Sequence, residues 1–179
     1  MKHLIALVAF VCLVSWVRAG AADSHKEVLN FKIGSDWKVI SNSDTGRGQS
    51  IKYIREGDDL DHWKEIFSYA YGVRTRGLRP PDQEFSMIKR DIEKQWPGLT
   101  DWSVIAQDEN SILYERHTNW SARTHEEWNI GRIIHTKYSW FTVSYTARVH
   151  ELPPDTRAQW IKTFSDATTS ADSNASPER

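Results

Sequence analysis

Tyr138-Ser139-Trp140-Phe141-Thr142-Val143-Ser144-Tyr145-Thr146-Ala147-Arg148-Val149 alternates without a break. Phe141, Val143, Tyr145, Ala147 and Val149 share one parity, and Trp140, Thr142, Ser144, Thr146 and Arg148 the other. Neighbouring side chains of a strand point to opposite faces. The stretch therefore reads as a strand with one oily and one mostly polar face, as expected of an antiparallel sheet.

The same reading extends outward. Glu126 to Thr136, Ser111 to Thr118 and Trp102 to Ala106 are strands, with Asp108-Glu109-Asn110 a tight turn between the last two. Ahead of them, Phe85, Ile88, Ile92 and Trp96 recur every three or four residues and make one helical stripe. Pro81 suits the first turn of that helix, and Pro97-Gly98 ends it. From His62 to Val73 the large Phe67, Tyr69, Tyr71 and Val73 alternate with Ile66, Ser68, Ala70 and Gly72, a strand with one bulky and one small-residue face. Trp37 to Asn42 and Ser50 to Arg55 flank Asp44-Thr45-Gly46-Arg47-Gly48 as a hairpin. On the C-terminal side, Glu151-Leu152-Pro153-Pro154-Asp155 opens a second helix with Trp160, Ile161 and Phe164 as its apolar stripe.

From Trp37 onward the order is β-β-β-α-β-β-β-β-α, and Val28 to Ile33 adds a short strand ahead of it. The expected fold class is α+β: an antiparallel sheet of about six to seven strands packed with two main helices. Residues 22–167 form a single domain, and residues 168–179, rich in Ser, Ala, Asp and Asn, are expected to be a disordered tail.

Residues 1–21 read as a secretory signal peptide. Lys2 precedes an uncharged apolar run from Leu4 to Val17, and Ala19 and Ala21 stand at the small-residue positions of an A-x-A exit. The run is shorter than the ~20 residues that cross a bilayer, so no stable membrane span is expected after cleavage. Cys12, the single cysteine, lies in that run, and the mature chain then has no thiol for a disulfide, a thiolate metal site or a nucleophile. Removing Lys2 and Arg18 from 23 basic residues leaves 21 against 24 acidic ones, a net charge of −3. That balance argues against nucleic acid as a partner. The expected location is periplasmic or secreted, with an unknown envelope protein or small ligand as partner and no cofactor.

Ile51-x-Tyr53 running into Glu56-Gly57 and Trp63, set in this order of elements, resembles the PsbP-like group of small exported α/β/α domains. The likeness covers Phe31 to Phe164. It implies a non-catalytic accessory or binding domain and carries over no functional residue, since no functional motif of the group is matched here.

The chain has no G-x-S-x-G elbow, no G-x-x-x-x-G-K-[ST] phosphate loop and no H-E-x-x-H pair. His125-x-Glu127 lacks the P-C-x-x-C partner of a zinc deaminase. His117 and His125 fall near the turn end of one hairpin and are candidate zinc or copper ligands with Glu126 or Glu127, or else plain surface residues. The same histidines with a nearby carboxylate would serve the alternative function, an envelope hydrolase or metal-binding protein. The acidic run Glu56 to Asp61 lacks the spacing of a calcium loop and reads as a solvated loop. Arg74, Arg76 and Arg79 near a helix start are candidate anion binders or a solvated charged loop. A strand of about 11 residues spans ~35 Å, which puts the acidic and basic groups at opposite ends of the domain. Trp140, on the polar parity, is an exposed stacking residue if both helices cover the other face, and core if helices lie on both. Asn119-Trp120-Ser121 and Asn174-Ala175-Ser176 fit the glycosylation pattern and matter only in a eukaryotic host.

Overall fold

The computed structural model describes residues 27–75, 77–121 and 125–171. The leader with Cys12, its exit, Arg76 and the Asn174 sequon lie outside the described residues.

Strands β1 (Glu27–Asn30), β2 (Trp37–Asp44), β3 (Gly48–Arg55) and β4 (Glu65–Val73) precede helix α1 (Pro81–Gln95). Then follow β5 (Thr100–Gln107), β6 (Ser111–Thr118), β7 (Glu127–His135), β8 (Ser139–Ala147), helix α2 (Pro154–Ser165) and β9 (Thr168–Ala171). Seven strands make one antiparallel sheet in the order β2-β3-β4-β8-β7-β6-β5, and β1 pairs with β9 in a separate two-stranded ribbon. The α+β class and the run of elements read from the sequence hold. Among the described residues no helix is long and apolar enough to cross a membrane.

Local chemistry sets the boundaries. Asp44 accepts the Gly46 N–H at 2.7 Å, and Gly46 takes a φ of +73° to close the β2–β3 hairpin. Both helices open on a proline pair, Pro80-Pro81 and Pro153-Pro154, with the second ring at the first turn, where no N–H is missed.

Alternation then sorts side chains between two layers. Phe67, Phe141, Val143 and Tyr145 point to the face covered by α2, where the Trp160 ring stacks on Tyr145 at 4.5 Å and on Phe67 at 5.8 Å. The β1–β9 ribbon and the segment after it complete this layer, with Phe31 tilted against Phe67 and Tyr69. Each fully buried aromatic here contributes about 1.5–3 kcal/mol. The Arg157 guanidinium forks onto Glu115 of β6 with two bonds of 2.8 Å and ties α2 to the sheet. On the opposite face α1 lies over β6 and β7, and Phe85 packs with Tyr114 and Trp102 at centroid distances of 5.0 and 5.6 Å.

Two departures from the sequence reading matter most, beside shifts of a few residues at other strand ends such as β1, which stops at Asn30 rather than Ile33. The chain from Thr168 is not frayed at its start: Thr168–Ala171 pairs with Glu27–Asn30, and the Asn30 amide donates to Ser170 Oγ at 2.9 Å. Its polar side chains hid the strand because all four are exposed, and backbone pairing with the Asn30–Ser170 bond holds it. The strand expected from His62 begins at Glu65, because Asp59 accepts the His62 N–H at 2.8 Å and Asp58 the Lys64 N–H at 2.9 Å, which folds the preceding loop on itself.

Candidate functional site

Strand parity places the chemistry at the two ends of the sheet. At the end where β7 begins, consecutive glutamates serve opposite faces. Glu126 accepts from His117 Nε2 at 3.0 Å and from His150 Nδ1 at 2.9 Å on the α2 side. The His117 ring stacks on Trp128 at 4.4 Å, and the Trp128 indole donates to the His150 carbonyl at 3.2 Å. The bond from His150 is the main cause holding the Glu126 carboxyl below its ordinary pKa. In return, Glu126 raises the His150 imidazole above its own. His117 and Glu126 are thus brought together as the hairpin geometry requires. His125 sits exposed just ahead of β7, and His150, which sequence reasoning missed, takes its place. Among the described residues no three His, Cys, Asp or Glu side chains are placed to hold a metal ion.

Glu127 faces the α1 side. It lies between two guanidiniums, 3.6 Å from Arg116 NH2 and 3.7 Å from Arg148 Nε. Arg116 spans the Trp102 ring at 5.7 Å, and Arg148 rests on the Trp63 ring at 3.6 Å. Burial lowers the pKa of both arginines, partly opposed by Glu127. At the same end Arg55 bonds both Glu65 and Asp36, and Tyr145 donates to Glu65 at 2.7 Å. Burial is the first cause raising the Tyr145 phenol well above its usual pKa, with Glu65 adding to it.

The other end carries the predicted basic residues. Arg74 is tied to the β7–β8 turn, its N–H donating to Tyr138 O at 2.6 Å and its guanidinium to Thr136 O at 2.5 Å. Arg79 is exposed just before α1. Trp140 fits neither of its two expectations. Helices do lie on both faces, yet α1 stops short of β8. The half-buried Trp140 ring therefore lies over Gly72, where an added Cβ would come within 2.6 Å of its indole nitrogen. Beside it the buried His135 meets Glu84 of α1 at 2.9 Å.

This end also holds a cleft of about 380 Å³, lined by Asp108, Ser111, Arg132, His135, Thr136 and Thr168 among others. Arg132 spends its donors on the carbonyls of Phe164, Ser165 and Ala167 and on Ser111 Oγ, so it caps α2 rather than facing a ligand. Its signal was present in the sequence as a charge between Ile130 and Ile134 on the oily parity.

Next to Trp140 the α1 face of β3, β4 and β8 carries Ser50, Ser68, Ala70, Gly72, Thr142 and Ser144 side by side in register. Neither core cluster includes a residue from this part of the face. No protein-family model matches the chain, and no curated protein matches it in sequence.

Proposed function

We propose that the chain is an exported, periplasmic, non-catalytic accessory module of PsbP-like type that binds an envelope protein against the half of its sheet that α1 leaves open. One observation carries the reading. The centre of that face is built from hydroxyl, methyl and glycine side chains on β4 and β8, with Ser50 and Lys52 beside them on β3, and the Trp140 ring borders it, lying over Gly72. Such a surface is flat and lets a partner's backbone come close, and a half-buried tryptophan at its edge is the kind of residue that anchors interfaces. The His117–Glu126–His150 group, by contrast, ends in an imidazole that is 92% exposed, an ion pair in water rather than a lined pocket.

Photo-crosslinking from Ser68 and Thr142 of the mature protein in intact cells tests this. A discrete adduct from both positions, absent from Lys89 on α1 and abolished by Ala70→Arg, is the expected result. Adducts no stronger from Ser68 and Thr142 than from Lys89 would end the docking assignment. Recovery of a full-length product from cytosol instead of a clipped one from osmotic-shock fluid would end the periplasmic one.

A further inference from the structure

Four buried side-chain atoms among the described residues have no hydrogen-bond partner: Arg116 Nε, Thr118 Oγ1, Arg148 Nε and His135 Nδ1. Three of the four belong to one patch. Thr118 pairs across the sheet with Glu127, and Arg116 stands two residues away on the same face. Arg148 directly follows β8, next to Glu127, because Ala147 pairs with Trp128. Buried polar groups in folded proteins are satisfied with few exceptions, so three in two adjacent rows single this patch out.

The chemistry of these unmatched atoms is one-sided. Two guanidinium N–H edges and a hydroxyl are all able to donate. Among the described residues the one carboxylate between the guanidiniums, Glu127, stands 3.6 and 3.7 Å away, beyond a good hydrogen bond, and offers one negative charge to two positive ones. The Arg116 side chain is only 9% exposed and Thr118 is fully buried, so neither can turn to bulk water, while Arg148 at 25% reaches the surface. Trp63 and Trp102 bound the two cations with apolar rings.

We propose that this patch binds a monoanionic carboxylate. One oxygen accepts from the Arg116 Nε–H, the other from the Arg148 Nε–H, and the Thr118 hydroxyl completes the set. The carboxylate supplies the single charge that the two-to-one balance lacks, and its apolar remainder lies along the tryptophan rings. The site is separate from the Ser/Thr face bordered by Trp140 and does not depend on that assignment. Two sources present this group, a free monocarboxylic acid and the C-terminus of a peptide.

Titration calorimetry of the mature protein with benzoate, with an N-acetylated dipeptide bearing a free C-terminus, and with the same dipeptide amidated tests the proposal. Benzoate or the free dipeptide should bind with a Kd of about 1 mM or tighter, and the amide should not bind. Preference for the dipeptide assigns the peptide terminus, and equal or better binding of benzoate assigns the free acid. Arg148→Gln should weaken binding at least about tenfold, as expected for loss of a charge-assisted bond. Thr118→Val keeps the shape and removes an unpaired hydroxyl, so it should weaken binding about fivefold without lowering the unfolding midpoint. Lys52→Gln, on the same face but remote, should bind as the parent does. No heat from either carboxylate up to about 10 mM, or affinity unchanged in both Arg148→Gln and Thr118→Val, overturns it.

Discussion

Two glycines in the sheet lie beneath aromatic rings, and the difference between them can be measured. A Cβ on Gly131 would stand 2.5 Å from both Cζ and the hydroxyl of Tyr114, the residue directly opposite on β6. That ring cannot retreat, since it is buried and Phe85 and Trp102 hold it at 5.0 and 5.9 Å. A Cβ on Gly72 meets Trp140 almost as closely, at 2.6 Å, but the indole is half-buried on the face that α1 leaves open and can swing outward. Alanine relieves the entropic cost of glycine in a strand by about 0.5–1 kcal/mol in both cases. Overpacking against a fenced ring costs about 1–3 kcal/mol. Gly131→Ala should therefore destabilise by about 1–2 kcal/mol, and Gly72→Ala should fall within about 0.5 kcal/mol of the parent.

Urea unfolding followed by far-ultraviolet circular dichroism reads both, and the thermal midpoint of Gly131→Ala should drop by about 3–6 °C. The indole N–H resonance of Trp140 should shift in Gly72→Ala and stay in place in Gly131→Ala. Equal costs, or a larger cost at Gly72, would refute the idea that α1 fences one ring and leaves the other free.

Glu126→Gln should change the pH profile of stability. His150 has its pKa raised by the bond to Glu126, so its contribution is full below its ordinary value of 6.5 and is lost as pH rises through the higher folded value. Glu126 has its pKa lowered, so its contribution is full above its ordinary value of 4.5 and is lost as pH falls through the lower folded value. The gap between parent and variant should be widest near about pH 5.5 and narrow by about pH 8.5, and a gap independent of pH would count against the pair. Arg132→Met should cost about 2 kcal/mol, because the carbonyls of Phe164, Ser165 and Ala167 lose a charged donor at the end of α2. Amide exchange should then quicken in both β9 and β1, and unchanged protection there would remove Arg132 as the brace of that ribbon.

The sheet was legible because its strands alternate cleanly. Phe67-x-Tyr69-x-Tyr71 and Phe141-x-Val143-x-Tyr145 name one face each, and they pair in register across β4 and β8. Of the β1–β9 ribbon only β1 was legible, within Val28 to Ile33; β9 was not, since Thr168 to Ala171 bury no side chain and sequence patterns register only buried faces. Trp140 escaped for another reason: how far α1 extends across its face depends on where the helix docks, and nothing in its own 15 residues specifies β6 over β8. At the candidate sites the sequence supplied residue types but not partners. His117 was singled out and Glu126 weighed beside it, yet His150 lies 24 residues beyond that carboxylate and converges only once β7 and β8 are paired. Arg116, Thr118 and Arg148 went unremarked as a group because each looks ordinary alone; they become unusual only when burial leaves their donors unmatched.

Glu126 and Glu127 bear on what the charged end of the sheet is for. Because strand period is two, a slip of β7 by one residue would put Glu126 where Glu127 stands, and a carboxylate would still face the arginines. What the slip would ruin is the oily parity, turning Ile130 and Ile134 out of the α2 layer, where they are now buried. The hydrophobic pattern alone therefore fixes the register, and the ion pairs are not needed for it. Nor do they add much stability, since a buried guanidinium costs more in lost hydration than a carboxylate at 3.6 Å without a hydrogen bond returns. Two arginines and a threonine hydroxyl that neither set the register nor strengthen the fold are better explained by the acid they would hold.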